Sequence, residues 1–221
     1  KRQLLCGVVC GLLLCTASII QQYGIIHTTV GKSGFITTMY IILVPFLGLF
    51  VKLRVKLMNW VCAIIALTGL YLLCAGGGLS GVNVGDWLTL LCAVFFACHI
   101  LFIDRTCHDL DGVRLSCVQF FTASAVSILP MLLLEHPSWA AIQSAWLPIV
   151  YAGVFSGGIG YTLQILGQQL VPPTLASMIL SLESVFAVLF GWIILQQALR
   201  AHELLGCLVI FIAIVIAQLP S

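Results

Sequence analysis

Long apolar runs alternate with short polar breaks along the whole chain. Breaks such as "KLRVKLMN" and "DRTCHDLDGVRLS" separate eight apolar runs. The predicted spans are approximately residues 4–26, 35–51, 60–76, 87–103, 117–134, 147–170, 174–195 and 204–219. Backbone groups in lipid must be satisfied within the spanning segment, so runs of this length predict helices, whereas a barrel would show short alternating strands. The pattern therefore predicts an all-α, polytopic transmembrane helix bundle.

The composition and charge support a membrane protein. Hydrophobic residues make up 62% of the chain, charged residues only 7%, and the mean hydropathy is +1.19, which no ordinary soluble domain approaches. The net charge of +2 and the dispersed Lys and Arg residues argue against a nucleic-acid surface. If both ends of the chain are cytoplasmic, seven of the nine Lys and Arg residues fall on the cytoplasmic side. We therefore expect that orientation.

The chain resembles itself at an offset of 143 residues. Four identical pairs align without a gap: Gln21 and Gln164, Gly24 and Gly167, Ile36 and Ile179, and Gly48 and Gly191. The offset predicts three parts: residues 1–76 as the last three helices of a first repeat, 77–86 as a linker, and 87–221 as a second repeat of five helices.

By the same offset the first repeat lacks about 58 residues at its N-terminal side, which is room for two helices. We therefore expect eight helices of a probable ten, with the first repeat truncated. Repeats with an odd number of spans are inverted relative to each other, and inverted repeats with a site at mid-membrane are typical of secondary transporters.

Glu183 is the most informative single residue, because it is a lone charge within the apolar run 174–195. A charged group at the centre of a bilayer costs about 2.5 to 3.5 kcal/mol on insertion scales, which makes it a candidate for function. The offset pairs it with Tyr40, and we expect Gln21, Gln164 and Tyr161 to line the same path with polar groups. Glu183 would bind substrate or a proton. The alternative is a protonated side chain that joins two helices.

Small residues and one proline predict where helices pack or bend. Gly7 and Gly11, and likewise Gly153 and Gly157, have the G-x-x-x-G spacing that lets helix backbones approach closely. Pro45 removes one backbone hydrogen bond within the run 35–51 and predicts a kink there.

Other reactive side chains give weaker signals. Most of the ten cysteines lie in apolar runs and are interpreted as small hydrophobic residues, whereas Cys107 and Cys117 flank a polar loop and are candidates for reactive thiols. His99 is interpreted as a packing residue, with a proton relay as the alternative. The sequence contains no metal-ligand spacing, phosphate loop or nucleophile elbow, so we expect no metal, no cofactor and no enzyme activity.

Two stretches resemble a known family. The stretches "TTVGKSGFITTMYIILVPFLGLF" and "PPTLASMILSLESVFAVLFGWIIL" are similar to the paired repeat ends of the EamA-like branch of the drug/metabolite transporter superfamily. The resemblance covers essentially the whole chain and implies the third to tenth helices of a ten-helix fold. It also implies export of a small metabolite across the bacterial inner (plasma) membrane by alternating access. The family commonly has Glu-Pro where this chain has Glu183-Ser184, so a proline-induced bend is not expected there.

The expected function is a secondary transporter that exports an amino acid or a related compound, with proton coupling as a hypothesis that rests on Glu183. The partners are then a small-molecule substrate and the lipid bilayer, and the sequence indicates no oligomeric state. A channel-like or structural membrane subunit stays open as the alternative, because it would need fewer polar groups at mid-membrane.

Overall fold

The computed structural model describes residues 1–28, 30–74, 83–134, 138–195 and 200–218, and every regular element in those ranges is a helix. The α-helices are α1 (Arg2–His27), α2 (Val30–Thr38), α3 (Tyr40–Phe50), α4 (Leu57–Cys74), α5 (Val84–Thr106), α6 (Gly112–Leu134), α7 (Trp139–Ser144), α8 (Trp146–Val150), α9 (Thr162–Gln168), α10 (Pro173–Leu180), α11 (Leu182–Leu195) and α12 (Ala201–Gln218). A π-helix, Tyr151–Tyr161, connects α8 to α9. The expected all-helical class is confirmed for the described ranges.

Several of these helices have the length and composition of membrane spans. Within the described ranges five segments are long and apolar enough to cross a bilayer: Arg2–His27, Ser33–Phe50, Val84–Thr106, Gly112–Leu133 and Trp146–Gln168. Three further apolar helices are shorter, Leu57–Leu72, Pro173–Phe186 and Ala201–Ala217. The expectation that eight helices span the membrane stays a prediction.

The predicted linker at 77–86 overlaps the start of α5. Val84–Asp86 form the first turn of α5, whereas 77–82 lie outside the described residues. The helix begins here because the Asn83 side chain accepts a hydrogen bond from the Asp86 N–H at 3.0 Å. The Asp86 carboxylate accepts in return from the Asn83 N–H at 2.9 Å, which forms a reciprocal capping box.

The chain forms two compact units. Unit 1 comprises Lys1–Thr16 and Phe102–Val171, and unit 2 comprises Ala17–Leu101 and Pro172–Ser221. The core of unit 1 is a cluster of buried residues from α1, α5, α6 and α9 with the loop after α5: Cys6, Cys10, Ile103, Cys107, Leu115 and Ile165. The core of unit 2 is larger and centres on α3, α4, α10 and α12.

In unit 2, α4 and α12 bury the same pattern of positions. The buried residues are Cys62, Ala63, Ala66, Gly69 and Leu70 on α4 and Gly206, Cys207, Ile210, Ala213 and Ile214 on α12. Each position on α12 lies 144 residues after its counterpart on α4, one residue from the offset seen in the sequence. A Cβ atom on Gly69 would lie 2.9 Å from the Gly206 carbonyl oxygen, so the two backbones approach closely.

Candidate functional site

Each of the two segments that carry the strongest predicted site residues contains a single turn residue between two helical stretches. At Met39, between α2 and α3, the backbone N–H donates to the Ile36 carbonyl at 3.1 Å, and at Ser181, between α10 and α11, the N–H donates to Met178 at 3.2 Å as well as to Ser177. Tyr40 is the first residue of α3 and Glu183 the second of α11. The two predicted repeat partners therefore follow a turn in their own segments.

The Glu183 side chain is exposed, and in the described part of the chain it has no hydrogen-bond or ion-pair partner. It lies in the first turn of α11, which follows α10 after the single turn residue Ser181. A positively charged or hydrogen-bond-donating ligand matches that arrangement.

Tyr40 lies in the interior of the same unit. It is 8% exposed and belongs to the apolar cluster that includes Val185, two residues after Glu183. Helix α3, which Tyr40 begins, packs against α10. The structure therefore places both predicted partners, Tyr40 and Glu183, in unit 2.

Gln21 is the third predicted residue in unit 2. Its amide Nε2 donates to the Thr37 hydroxyl at 3.1 Å, and Thr37 is also hydrogen-bonded to Cys92. Thr37 is a weak site candidate from the sequence, because a hydroxyl in a helix often bonds a carbonyl of the preceding turn. Such bonds do form at three other hydroxyls near the two breaks: Thr38 to Gly34, Ser177 to Thr174 and Ser181 to Met178. No sequence signal marked Thr37 as different.

The other two predicted path residues, Gln164 and Tyr161, lie in unit 1. The Tyr161 ring packs edge to face on Phe120 with 6.0 Å between ring centroids and an interplanar angle of 76°. Gln164 is half-buried, and in the described part of the chain its amide has no hydrogen-bond partner. These two residues are described within unit 1, and their role in a substrate path stays a prediction.

The predicted packing residues differ in their surroundings. A Cβ atom on Gly7 would lie 2.6 Å from the Val118 side chain, and one on Gly11 would lie 2.5 Å from the Gln119 carbonyl, so α1 approaches α6 closely at both positions. No described atom outside the local helix lies within 4 Å of the Cβ position of Gly153.

The other predicted packing positions, Gly157 and Pro45, also have defined surroundings. Beside Gly157, the Phe120 ring lies at 3.7 Å from the Cβ position. Pro45 is buried within α3, which continues to Phe50, and the observed turn lies at Met39 instead.

His99 is fully buried in α5. Among the described residues no group of three or more His, Cys, Asp or Glu side chains has an arrangement that would hold a metal ion. We therefore assign no metal centre within them.

The family model of the EamA-like transporter family matches residues 83–218. The chain belongs to the EamA-like transporter family. An uncharacterized transporter from Archaeoglobus fulgidus is 30% identical over 200 residues, which cover 90% of this chain and 64% of that relative. The chain therefore spans about two thirds of the length of this EamA-like relative. The predicted membership of the EamA-like branch of the drug/metabolite transporter superfamily is confirmed.

A solved structure has the same fold. It superposes with a TM-score of 0.80 over 98% of this chain and 85% of the other, at 17% sequence identity. Together with the apolar helices, these comparisons establish a multi-pass membrane protein of the EamA-like family. Membership of a transporter family also favours transport over catalysis.

Proposed function

We propose that this EamA-like protein is a secondary transporter that exports a small metabolite from the cytoplasm by alternating access. The observation that carries the proposal is Glu183, a carboxylate in an apolar helix that is exposed and has no partner within the described residues. Charged groups within membrane helices are costly and are usually paired with one another or with backbone carbonyls. A carboxylate without such a partner is suited to a ligand that arrives and leaves.

The surroundings of Glu183 support a binding role over a packing role. Interrupted helices are a common way for transporters to present polar groups and helix ends to a substrate at mid-membrane. Glu183 is the second residue of α11, after the turn at Ser181, and Tyr40 is the first residue of α3, after the turn at Met39. The two positions differ by 143 residues, the offset of the predicted repeat. The substrate that this chemistry favours carries an ammonium group, as amino acids and related compounds do.

Two inverted repeats are part of the proposal. The matched burial of α4 and α12 and the matched turns at Met39 and Ser181 support them. The greater length of the Archaeoglobus relative supports a ten-helix whole, of which this chain supplies eight helices. We further propose that both ends of the chain are cytoplasmic, because that orientation places seven of nine Lys and Arg residues inside.

Proton coupling completes the proposed mechanism. Glu183 would carry the proton and the substrate alternately, because a single carboxylate cannot be protonated and also pair with an ammonium group. Import of a proton would then drive export of the substrate. A channel-like or structural membrane subunit is the second candidate. The segment Trp146–Gln168 is compatible with it, because only 6% of its most apolar stretch is buried and the rest is apolar surface.

Counterflow in proteoliposomes tests the proposal. Full-length protein is reconstituted with unlabelled amino acids or metabolites inside, and uptake of the labelled compound is measured with and without a pH gradient. We expect saturable exchange, and we expect Glu183→Gln to lower it about tenfold or more, since a hydrogen bond to a charged group is worth about 1.5 to 3 kcal/mol.

Glu203→Gln provides the matched control. The Glu203 carboxylate accepts from the Arg200 N–H at 2.7 Å at the start of α12, a capping bond that a glutamine oxygen can replace. Exchange by this variant should equal that of the parent. Equal exchange rates and pH dependence in Glu183→Gln and the parent would contradict the role of Glu183. Folded protein that exchanges no compound of the panel would favour the structural subunit.

A further inference from the structure

A basic stretch, residues 52–56, lies in unit 2 between α3 and α4 and contains Lys52, Arg54 and Lys56. These three side chains are exposed, whereas the two residues between them are half-buried. Residues 1–85 contain no acidic side chain, so no neighbour in the sequence neutralises the positive charge. In the described part of the chain, the Lys52 and Arg54 side chains also have no ion-pair partner. The basic stretch therefore presents positive charge at the protein surface.

The end of α3 fixes the direction of the basic stretch. The Leu53 N–H donates to the Gly48 carbonyl at 2.8 Å, and the Lys52 N–H donates to the Leu49 carbonyl at 3.0 Å, which together form a Schellman motif. The Leu53 side chain packs on Gly48, where a Cβ atom would lie 2.9 Å from Leu53 Cδ2. Leu53 also packs against the core of unit 2. The basic stretch is therefore anchored to the core through Leu53.

Lys52 has a backbone conformation that is unfavourable for lysine. Its φ of 60° is in the left-handed region, where a Cβ atom crowds the following carbonyl oxygen, and Schellman motifs usually have glycine at this position. Strained residues of this kind cluster at functional sites. The chain has a positive charge here instead of the glycine that the backbone favours, which indicates that the charge itself has a role.

An exposed apolar surface adjoins the basic stretch. Phe46 and Phe50 lie one turn apart at the end of α3, and their rings pack edge to face with 5.7 Å between centroids. They are 48% and 76% exposed, and Leu57, the first residue of α4, is 79% exposed. Helix α3 belongs to the segment Ser33–Phe50, which is apolar and long enough to cross a bilayer. Apolar side chains next to fixed positive charges match the acyl chains and the anionic headgroup of a phospholipid.

We propose that residues 46–57 bind an anionic phospholipid. The headgroup lies against the three basic side chains, and the acyl chains lie along Phe46 and Phe50. A phospholipid is favoured over a free phosphate or an acidic protein, because the charges directly follow apolar side chains of a membrane-spanning segment. If the proposed orientation is correct, the lipid belongs to the cytoplasmic leaflet. The binding itself does not depend on the proposed transport function.

Native mass spectrometry of the purified full-length protein tests the site. The protein in neutral detergent is titrated with dioleoyl-phosphatidylglycerol or with dioleoyl-phosphatidylcholine, which have the same acyl chains, and bound lipids are counted. We expect phosphatidylglycerol to bind about tenfold more tightly or better, because each Lys or Arg near an anionic headgroup contributes about fivefold in affinity. Glycerophosphoglycerol, the headgroup without acyl chains, should not compete at equal concentration. Equal affinities for the two lipids, or full competition by the free headgroup, would overturn the proposal.

Variants at Lys52 separate lipid binding from folding. Lys52→Gly removes the charge and suits the left-handed backbone. We expect it to weaken phosphatidylglycerol binding about fivefold while raising the midpoint of thermal unfolding in lipid-free detergent by about 2 °C. Lys52→Arg keeps the charge and should bind the lipid as the parent does.

Arg200→Gln is the matched control, because it removes an exposed cation of unit 2 that lies outside the basic stretch. It should leave the preference for phosphatidylglycerol unchanged. Equal losses of that preference in Lys52→Gly and Arg200→Gln would show that net charge attracts the lipid, which would overturn the proposal. The titration of the parent decides between the two lipids even if a variant fails to fold.

Discussion

Asp86 and Glu183 are both carboxylates in the first turn of a helix in unit 2, yet their surroundings are opposite. Asp86 is 5% exposed and accepts hydrogen bonds from the Thr28 hydroxyl at 2.8 Å and from the Asn83 N–H at 2.9 Å. Glu183 is exposed and has no partner within the described residues. A buried carboxylate that holds a fold must have its oxygens satisfied. Asp86 is therefore a structural residue, whereas Glu183 has no such role among the described contacts and is the carboxylate that we propose binds substrate.

The backbone around the two residues differs in the same way. Near Asp86, the end of α1 packs on the start of α5 through glycines, and a Cβ atom on Gly85 would lie 2.5 Å from the Gly24 carbonyl oxygen. Near Glu183, the segment is interrupted at Ser181 and the following carboxylate is exposed. The backbones of α1 and α5 are therefore in close contact at their junction, whereas the carboxylate after the turn before α11 is exposed.

The largest difference should appear when each carboxylate is removed. Asp86→Ala leaves the Thr28 hydroxyl and the Asn83 N–H without their partner, and we expect it to lower the free energy of unfolding by about 3 kcal/mol. Glu183→Ala removes no hydrogen bond from the described structure and should change the same quantity by less than about 0.5 kcal/mol. Denaturant titration in detergent micelles, followed by circular dichroism, measures both.

Transport assays on the same two variants sharpen the contrast. Glu183→Ala should lose substrate exchange while keeping its stability. Asp86→Ala should be less stable, and its exchange rate should fall only in proportion to the fraction of protein that is folded. A strongly destabilised Glu183→Ala would show that Glu183 has a structural role after all.

A smaller effect is expected from the glycine contact. Gly85→Ala places a methyl group against the Gly24 carbonyl, where neither backbone can move freely, and overpacking of this kind costs about 1 to 3 kcal/mol. Gly34→Ala in α2 is the matched control, because no described atom outside its own helix lies within 4 Å of that Cβ position. Alanine there should be neutral or slightly stabilising, since it favours a helix over glycine. Equal losses in the two variants would argue against a specific contact at Gly85.

The helices could be predicted from the sequence because backbone N–H and C=O groups in lipid must be hydrogen-bonded within the spanning segment, as they are in an α-helix. Predicted spans such as 4–26 and 117–134 match α1 and α6 to within a few residues. The turns at Met39 and Ser181 could not be predicted in this way, because both lie inside predicted spans and no proline or glycine occupies either position. The proline that was expected to bend its helix, Pro45, lies six residues after the observed turn.

The candidate site could be predicted only in part. A charge in an apolar run is visible in the sequence, so Glu183 was identified, and its repeat offset identified Tyr40. The predicted linker includes Asp86 because a glycine-rich stretch precedes it, although the spacing of Asn83 and Asp86 is that of a capping box. The grouping of Cys6, Cys10 and Cys107 in the core of unit 1 depends on tertiary packing between residues far apart in the chain, which no local sequence pattern records.

The smallest effect should come from Gln21, whose situation lies between those of Asp86 and Glu183. It is half-buried, and its amide makes one neutral hydrogen bond, to Thr37. Hydrogen bonds between membrane helices contribute about 0.6 kcal/mol on average, so Gln21→Leu should lower the free energy of unfolding by about that amount. Thr37→Val removes the same bond from the other side and serves as the control. If Gln21 also lines the substrate path, its variant should slow exchange more than Thr37→Val does at equal stability. If the two variants match in stability and in exchange, Gln21 belongs with Asp86 among the structural residues.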